Sequence, residues 1–171
     1  MNKLIISGSS GYIGKNLLSK IDLNRYKVIA LTSNRNNLQE FNRIKVIENN
    51  DFFKEALDLE GYTLLNLAFA RSSEKIDLLE GIDYTYNLVD KFHEYGGREI
   101  INVSSQSVYN TKRKEAAKED DIVYPIGLYG IGKYFVENWL EDYCKKHKIK
   151  HTNFRIASVV GPGFEQRITY R

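Results

Sequence analysis

Cysteine, proline and long apolar runs are what this chain has least of. A single cysteine, Cys144, in 171 residues excludes an internal disulfide and a multi-cysteine zinc site. Its expected helical position makes it a buried thiol rather than a nucleophile. Only two prolines occur, Pro125 and Pro162, both in expected turns. No apolar stretch approaches the ~18 residues of a membrane span, and the N-terminus has no signal-peptide layout. A reducing cytoplasm is therefore the expected setting, without a membrane or a metal. The net charge is only +3, and the basic residues are scattered. That pattern fits a mixed, solvated surface rather than a nucleic-acid patch. A hydrophobic content of 42% beside 27% charged residues is that of a globular chain, long enough for one domain with a real core.

What is present alternates. β-rich runs fall at Lys3 to Ser7, Lys27 to Thr32, Lys45 to Glu48, Thr63 to Ala68, Glu99 to Ser104 and Thr152 to Ser158. Several are nearly continuous apolar runs, as parallel strands covered on both faces require. Helical spacing fills the gaps. Ile13, Leu17, Leu18 and Ile21 make one stripe. Ile76, Leu79, Ile82, Tyr86 and Val89 make another, ending near Gly96-Gly97, a C-cap signature. Phe135, Val136, Trp139, Leu140 and Tyr143 make a third, with Lys145, Lys146 and Lys148 where the helix dipole favours cations. Thr111 to Asp121 is polar throughout and reads as a solvated loop or short helix. Strand-helix alternation of this kind predicts a doubly wound, mostly parallel α/β sheet, the Rossmann fold.

Directly after the first apolar run stands GSSGYIG, with Gly8, Gly11 and Gly14 at a strict spacing. A strand, a glycine-rich turn and an amphipathic helix together hold a dinucleotide pyrophosphate. Gly8 permits the turn, Gly11 lets phosphate approach the backbone, and Gly14 permits tight helix packing. The amides near Tyr12 and Ile13 then point at the anion. The second strand should end in the residue that reads the adenosine ribose, an acid for NAD or a nearby Arg for NADP. Here it ends Leu31-Thr32-Ser33-Asn34-Arg35, with no carboxylate. The reading tilts towards NADP(H), with Ser33 or Arg35 near a 2′-phosphate, and NAD(H) stays open. After the third strand, Asp51 can accept from the adenine amino group; a loop carboxylate unrelated to ligand is the rival reading.

Tyr129 and Lys133 lie four residues apart, on one face at a helix start. A free phenol titrates near ~10, and a nearby ammonium lowers that value. Such a tyrosine can exchange a proton with a substrate hydroxyl while a nicotinamide exchanges hydride. The fifth strand ends in Val103-Ser104-Ser105, at the sheet edge where doubly wound folds bind ligands. Ser105 is placed to hold the same reacting oxygen.

These motifs together resemble the cofactor-binding part of the extended short-chain dehydrogenase/reductases, the NAD-dependent epimerase/dehydratase group. GSSGYIG resembles the family's glycine turn, and Asp51-Phe52 its adenine-contacting pair. Leu67-Ala68-Phe69-Ala70 resembles the stretch that passes beside the cofactor. VSSQSVYN resembles its serine strand, and YGIGK with Glu137 its Tyr-Lys helix. Arg155 through Val159-Val160-Gly161-Pro162-Gly163 resembles the segment lining the nicotinamide side. The resemblance implies Tyr129 as general acid/base, Lys133 as ribose ligand and tuner of Tyr129, and Ser105 as holder of the substrate oxygen. It implies a nucleotide-sugar substrate, oxidised transiently to a ketone and then epimerised, dehydrated or reduced. It also implies a homodimer through helices at about 73–95 and 129–146. An NADP(H)-dependent ketoreductase, or a non-catalytic cofactor-binding regulator or subunit, stays open as an alternative.

The chain departs from the family pattern in places. Gly81 stands where Asn is usual, Tyr84 where Gly is usual, and Asn110 where Gly is usual. Gly132 replaces a small hydroxyl residue before the lysine. Relatives continue into a smaller substrate domain, whereas this sequence stops at Arg171. Residues 1–171 are thus expected to be an NAD(P)-binding domain that ends before the substrate domain.

Overall fold

Six short segments rich in aliphatic residues build the frame of the protein. They are β1 (Asn2–Ser7), β2 (Tyr26–Thr32), β3 (Lys45–Glu48), β4 (Tyr62–Asn66), β5 (Glu99–Ser105) and β6 (Lys150–Ile156). Between them run α1 (Tyr12–Leu18), α2 (Asn49–Phe52), α3 (Lys75–Glu94) and α4 (Leu128–His147), with 3-10 turns at Arg35–Leu38 and Gln106–Val108. The structure, a computed structural model, describes residues 1–70, 75–110 and 112–161. The strands form one sheet in the order β3-β2-β1-β4-β5-β6, with each neighbouring pair parallel. The order reverses between β1 and β4, which opens a crevice at their carboxyl ends. The expected doubly wound Rossmann sheet is therefore the fold observed.

Strand alternation sends side chains to both faces, and each face has its own core. Ile5, Ile29, Leu64 and Ile100 meet Leu88, Val89 and Phe92 of α3 and Val136 and Leu140 of α4. On the other face Ile6, Val28 and Ala30 meet Leu18, Leu38 and Ile44. Cys144 is fully buried in the first core. Burial pushes its thiol up to about 11, so it carries no thiolate at neutral pH. Among the described residues, no helix is long and apolar enough to cross a membrane.

Several boundaries differ from the sequence reading. β4 ends at Asn66 rather than Ala68, because the chain then bends across β1: the Ala68 amide donates to Ser7 Oγ at 3.3 Å. β6 begins two residues early, at Lys150, whose amide donates to the Arg98 carbonyl at 2.9 Å. The early start is possible because α4 stops sharply. Lys148 takes a left-handed φ of 56° there, and the Ile149 amide donates to the Cys144 carbonyl at 2.8 Å. The α3 stripe is split: Val89 is buried, whereas Ile76, Leu79 and Tyr86 face outward. Residues 112–121 contain no helix; Arg113 and Asp121 pair across them at 2.7 Å. Ser73, Thr111, Pro162 and Gly163 lie outside the described residues.

A polar ladder crosses the apolar sheet. Ser7 Oγ donates to Asn66 Oδ1 at 2.6 Å, Asn66 Nδ2 to Asn102 Oδ1 at 3.1 Å, and Asn102 Nδ2 to Asn153 Oδ1 at 2.9 Å. These residues are direct register partners on β1, β4, β5 and β6. Each buried amide satisfies the next, so a register slip would orphan them all. Asn102→Ala is expected to cost about 2 kcal/mol in urea unfolding, since it strands a donor on Asn66 and an acceptor on Asn153. A loss below roughly 0.5 kcal/mol would deny the ladder that role.

Candidate active site

The glycine turn sits at the reversal of strand order. Gly8 has a φ of +66°, and a Cβ there would lie 2.8 Å from the Ala68 nitrogen. Neither the backbone conformation nor the space tolerates a side chain. A Cβ on Gly14 would lie 2.5 Å from the carbonyl oxygens of both Gly8 and Ser9. Gly14 therefore seats α1 on the turn itself. Gly11 is different: only the Gly8 oxygen, at 3.2 Å, stands within 4 Å of a Cβ placed there. It is the exposed N-cap of α1. Ser9, fully buried, fastens the turn from below, with its hydroxyl on the Ile6 carbonyl and its amide on the Leu31 carbonyl. The Gly11 amide itself donates to the Gly8 carbonyl at 3.0 Å; the uncrowded start of α1, leading on to Tyr12 and Ile13, fits a bound pyrophosphate.

The carboxyl end of β2 brings together three charged residues that the sequence keeps apart. Arg35 and Ser33 are exposed there. Arg35, however, is already engaged: its guanidinium meets Asp51 Oδ2 at 3.2 Å and Glu48 Oε1 at 3.9 Å. Phe52 is placed differently from the expectation of an adenine contact. Its ring is fully buried, edge-on to Phe53 and Tyr95. Core packing claims this side chain, and only Asp51 of the pair reaches the surface.

At the far side of the crevice, β5 runs into its serine turn. Ser105 Oγ accepts from the Ser107 amide and lies 3.1 Å from Ser107 Oγ. These contacts fix its rotamer. The neighbouring Ser104 hydroxyl is buried and has no hydrogen-bond partner among the described residues. The first turn of α4 abuts this 3-10 turn, since a Cβ on Gly130 would lie 2.2 Å from the Ser107 carbonyl oxygen. Tyr129 precedes that glycine and is half-buried. One turn on, Lys133 is 3% exposed, and its Nζ donates to the Val103 carbonyl at 2.8 Å.

Phe69 joins the two groups. Its ring lies edge-on to Tyr129 at 5.9 Å, and the Lys133 ammonium sits 4.3 Å from its centroid. Burial lowers Lys133 to about 8, while the Glu137 carboxylate opposes that fall. The folded chain then holds fewer protons than the unfolded chain between about pH 8 and pH 10.5, so this group's contribution to stability rises with pH across that window. Glu137, one turn further, is 4% exposed. Arg155 of β6 holds both its oxygens, with bonds of 2.8, 3.1 and 3.2 Å, and donates to the Tyr109 hydroxyl at 2.8 Å. That pairing raises the Arg155 guanidinium above its ordinary range.

The profile of the NAD dependent epimerase/dehydratase family matches residues 4–171. The chain belongs to that family. Within it, the chain is 24% identical to Protein CapI of Staphylococcus aureus, covering 94% of this chain and 55% of that protein. It is 26% identical to dTDP-4-dehydro-6-deoxyglucose reductase of Escherichia coli, covering 98% and 58%. The chain thus spans little more than half the length of these relatives. The fold matches UDP-N-acetylglucosamine 4-epimerase from Methanobrevibacter ruminantium M1 with a TM-score of 0.82 at 19% identity, over 99% of this chain and 59% of that one. UDP-glucuronic acid 4-epimerase from Bacillus cereus, in complex with NAD, matches with 0.78 at 22% identity, over 94% and 57%.

The departures of this epimerase/dehydratase chain from its family pattern have physical reasons at three positions. A Cβ on Gly132 would lie 2.0 Å from Leu78 Cδ1, so α3 packs into the space a hydroxyl residue would take. At Gly81 a Cβ would make only ordinary contacts, near 3.5 Å, with Phe69. Tyr84 fills the glycine position with a ring against Phe53 and a hydroxyl on Asn49 Oδ1. At Asn110 the side-chain Oδ1 accepts from the Lys112 amide at 2.8 Å, a turn contact that glycine could not make. Leu67 and Ala68 pass beside the glycine turn, with backbone atoms about 3 Å from a Cβ placed on Gly8. Sequence reasoning did not foresee Glu48 beside Arg35, nor the asparagine ladder. Both depend on strand register, which one strand's sequence does not carry.

Proposed function

We propose that residues 1–171 are the dinucleotide-binding part of a nucleotide-sugar epimerase, dehydratase or reductase that works by transient hydride transfer at a sugar carbon. The observation that carries this reading is the junction at Phe69, which packs Tyr129 and Lys133 together beside the Ser105 turn. Phe69 directly follows Ala68, whose backbone walls the glycine turn. One short segment thus links the anion cradle to the proton-transfer groups.

A bound nicotinamide supplies hydride uptake and return. The chain's own residues do the rest. Ser105, with its rotamer fixed by Ser107, holds the substrate oxygen. Tyr129 exchanges a proton with that oxygen. Lys133 stabilises the phenolate and binds the nicotinamide ribose. Its low exposure strengthens the field it exerts on Tyr129. A hollow lined by Gln106, Ser107, Tyr109, Asn110 and Arg113 adjoins the serine turn and is suited to a sugar. Sugar recognition by further residues of a longer protein completes the proposal. A second copy packs on the outer faces of α3 and α4 in this reading, supported by exposed Ile76, Leu79 and Phe135. A cytoplasmic setting is part of it, supported by the one buried free thiol.

Isothermal calorimetry of this chain with NAD(H) and NADP(H) tests the first step. We expect saturable binding of at least one dinucleotide, lost in Gly11→Trp, which fills the open face of the turn. No heat with any of them, from a folded chain, would remove the proposal.

A further inference from the structure

We propose that Glu48 makes this site selective for a dinucleotide with a free 2′-hydroxyl on its adenosine ribose, by standing at the tip of β2 and holding Arg35 away from a 2′-phosphate. The inference rests on the dinucleotide reading above. In this fold the ribose lies at the end of the second strand, where a carboxylate accepts from the 2′-hydroxyl. β2 ends at Thr32 with no acid of its own. Its register partner is Glu48, the last residue of β3. The Glu48 carboxylate reaches across the strand gap, and Oε1 accepts from the Arg35 amide at 2.9 Å. A neighbouring strand thereby supplies the acid that β2 lacks.

The charges decide which ribose is favoured. Arg35 stands between Glu48 and Asp51, at 3.9 and 3.2 Å. One cation faces two anions, so the corner is net negative. A 2′-phosphate brings about −1.5 to −2 charges at neutral pH. To meet it, Arg35 must leave Asp51, and both carboxylates then face the phosphate. A 2′-hydroxyl is uncharged and donates to a carboxylate without that conflict. Arg35 considered alone suits a phosphate; Arg35 between two carboxylates does not. The three side chains are half-exposed, with Arg35 at 57%, so solvent and salt moderate the effect.

Calorimetric titration of the chain with NAD⁺ and NADP⁺ at low and physiological salt tests this. NAD⁺ is expected to bind about tenfold or more tightly than NADP⁺, with the gap shrinking as salt rises. Glu48→Gln keeps the side chain's shape and its bond to the Arg35 amide but removes the charge. It should narrow or reverse the preference by about tenfold, through tighter NADP⁺ binding. A thermal melt checks that the variant is folded. Equal or tighter NADP⁺ binding by the unaltered chain would overturn the inference, as would an unchanged ratio in Glu48→Gln. Binding of neither dinucleotide would instead sink the dinucleotide reading beneath it.

Discussion

Under the function proposed above, Tyr129→Phe in a form of the protein active on a nucleotide sugar is expected to lower turnover by about two to four orders of magnitude. Dinucleotide affinity should stay within about threefold, because in the proposed function the hydroxyl acts on the substrate oxygen. The argument starts from position. Tyr129 lies in the first turn of α4, where the helix dipole favours a negative charge. Lys133 lies one turn on and is almost fully enclosed. Its ammonium is held by the Val103 carbonyl and the Phe69 ring. Burial works against that charge and lowers Lys133 to about 8. Keeping an ammonium so enclosed costs stability. The phenylalanine ring keeps the packing against Phe69, and a thermal melt checks that the variant is folded. A steady-state pH profile is the decisive measurement. The tyrosine form should lose activity as its acid and base groups titrate, and the phenylalanine form should show a flat, low rate. Unchanged turnover in Tyr129→Phe would end its assignment as the proton-transfer group.

The parts of the fold legible in the sequence are those that local chemistry dictates. Gly8 needs a positive φ, and Gly14 has no room for a side chain, so their spacing marks the turn without any tertiary knowledge. The β1, β2 and β5 runs are apolar on both faces because helices cover both faces of the sheet. Register and sidedness are different. Asn66, Asn102 and Asn153 each look like an isolated polar residue in an apolar strand. Only pairing places them in one ladder. Glu48 reaches the tip of β2 for the same reason. The apolar stripe of α3 is real but divided: Val89 faces the sheet, whereas Ile76 and Leu79 do not. Periodicity reports an apolar face and not what covers it. Phe52 shows the converse. Its motif suggests a ligand contact, yet a fully buried ring has no surface left to offer one.

Arg155→Ala is expected to destabilise the domain by about 3 kcal/mol, the cost of leaving a buried carboxylate without its partner. In a domain of this size that is a fall of roughly 10 °C in melting temperature. The pair is unlike the chain's surface ion pairs. The Glu137 side chain is 5% exposed and that of Arg155 23%, whereas Lys15 and Glu40 are 41% and 53% exposed. Solvent cannot replace the guanidinium at Glu137 as it can at Glu40. Arg155 also ties β6 to Tyr109 and to the Glu119 carbonyl, so its loss loosens the rim beside the serine turn. A double variant, Arg155→Leu with Glu137→Leu, should recover most of the stability, because an apolar pair needs no charge partner. It should not recover the site. Glu137 supports the Lys133 ammonium through its charge, and without it the lysine is more readily neutral at pH 7. Urea unfolding at neutral pH separates the two effects from dinucleotide binding. A single Arg155→Ala variant losing less than roughly 1 kcal/mol would mean that water reaches Glu137, and that the ion pair neither holds β6 nor shields the charge behind Lys133.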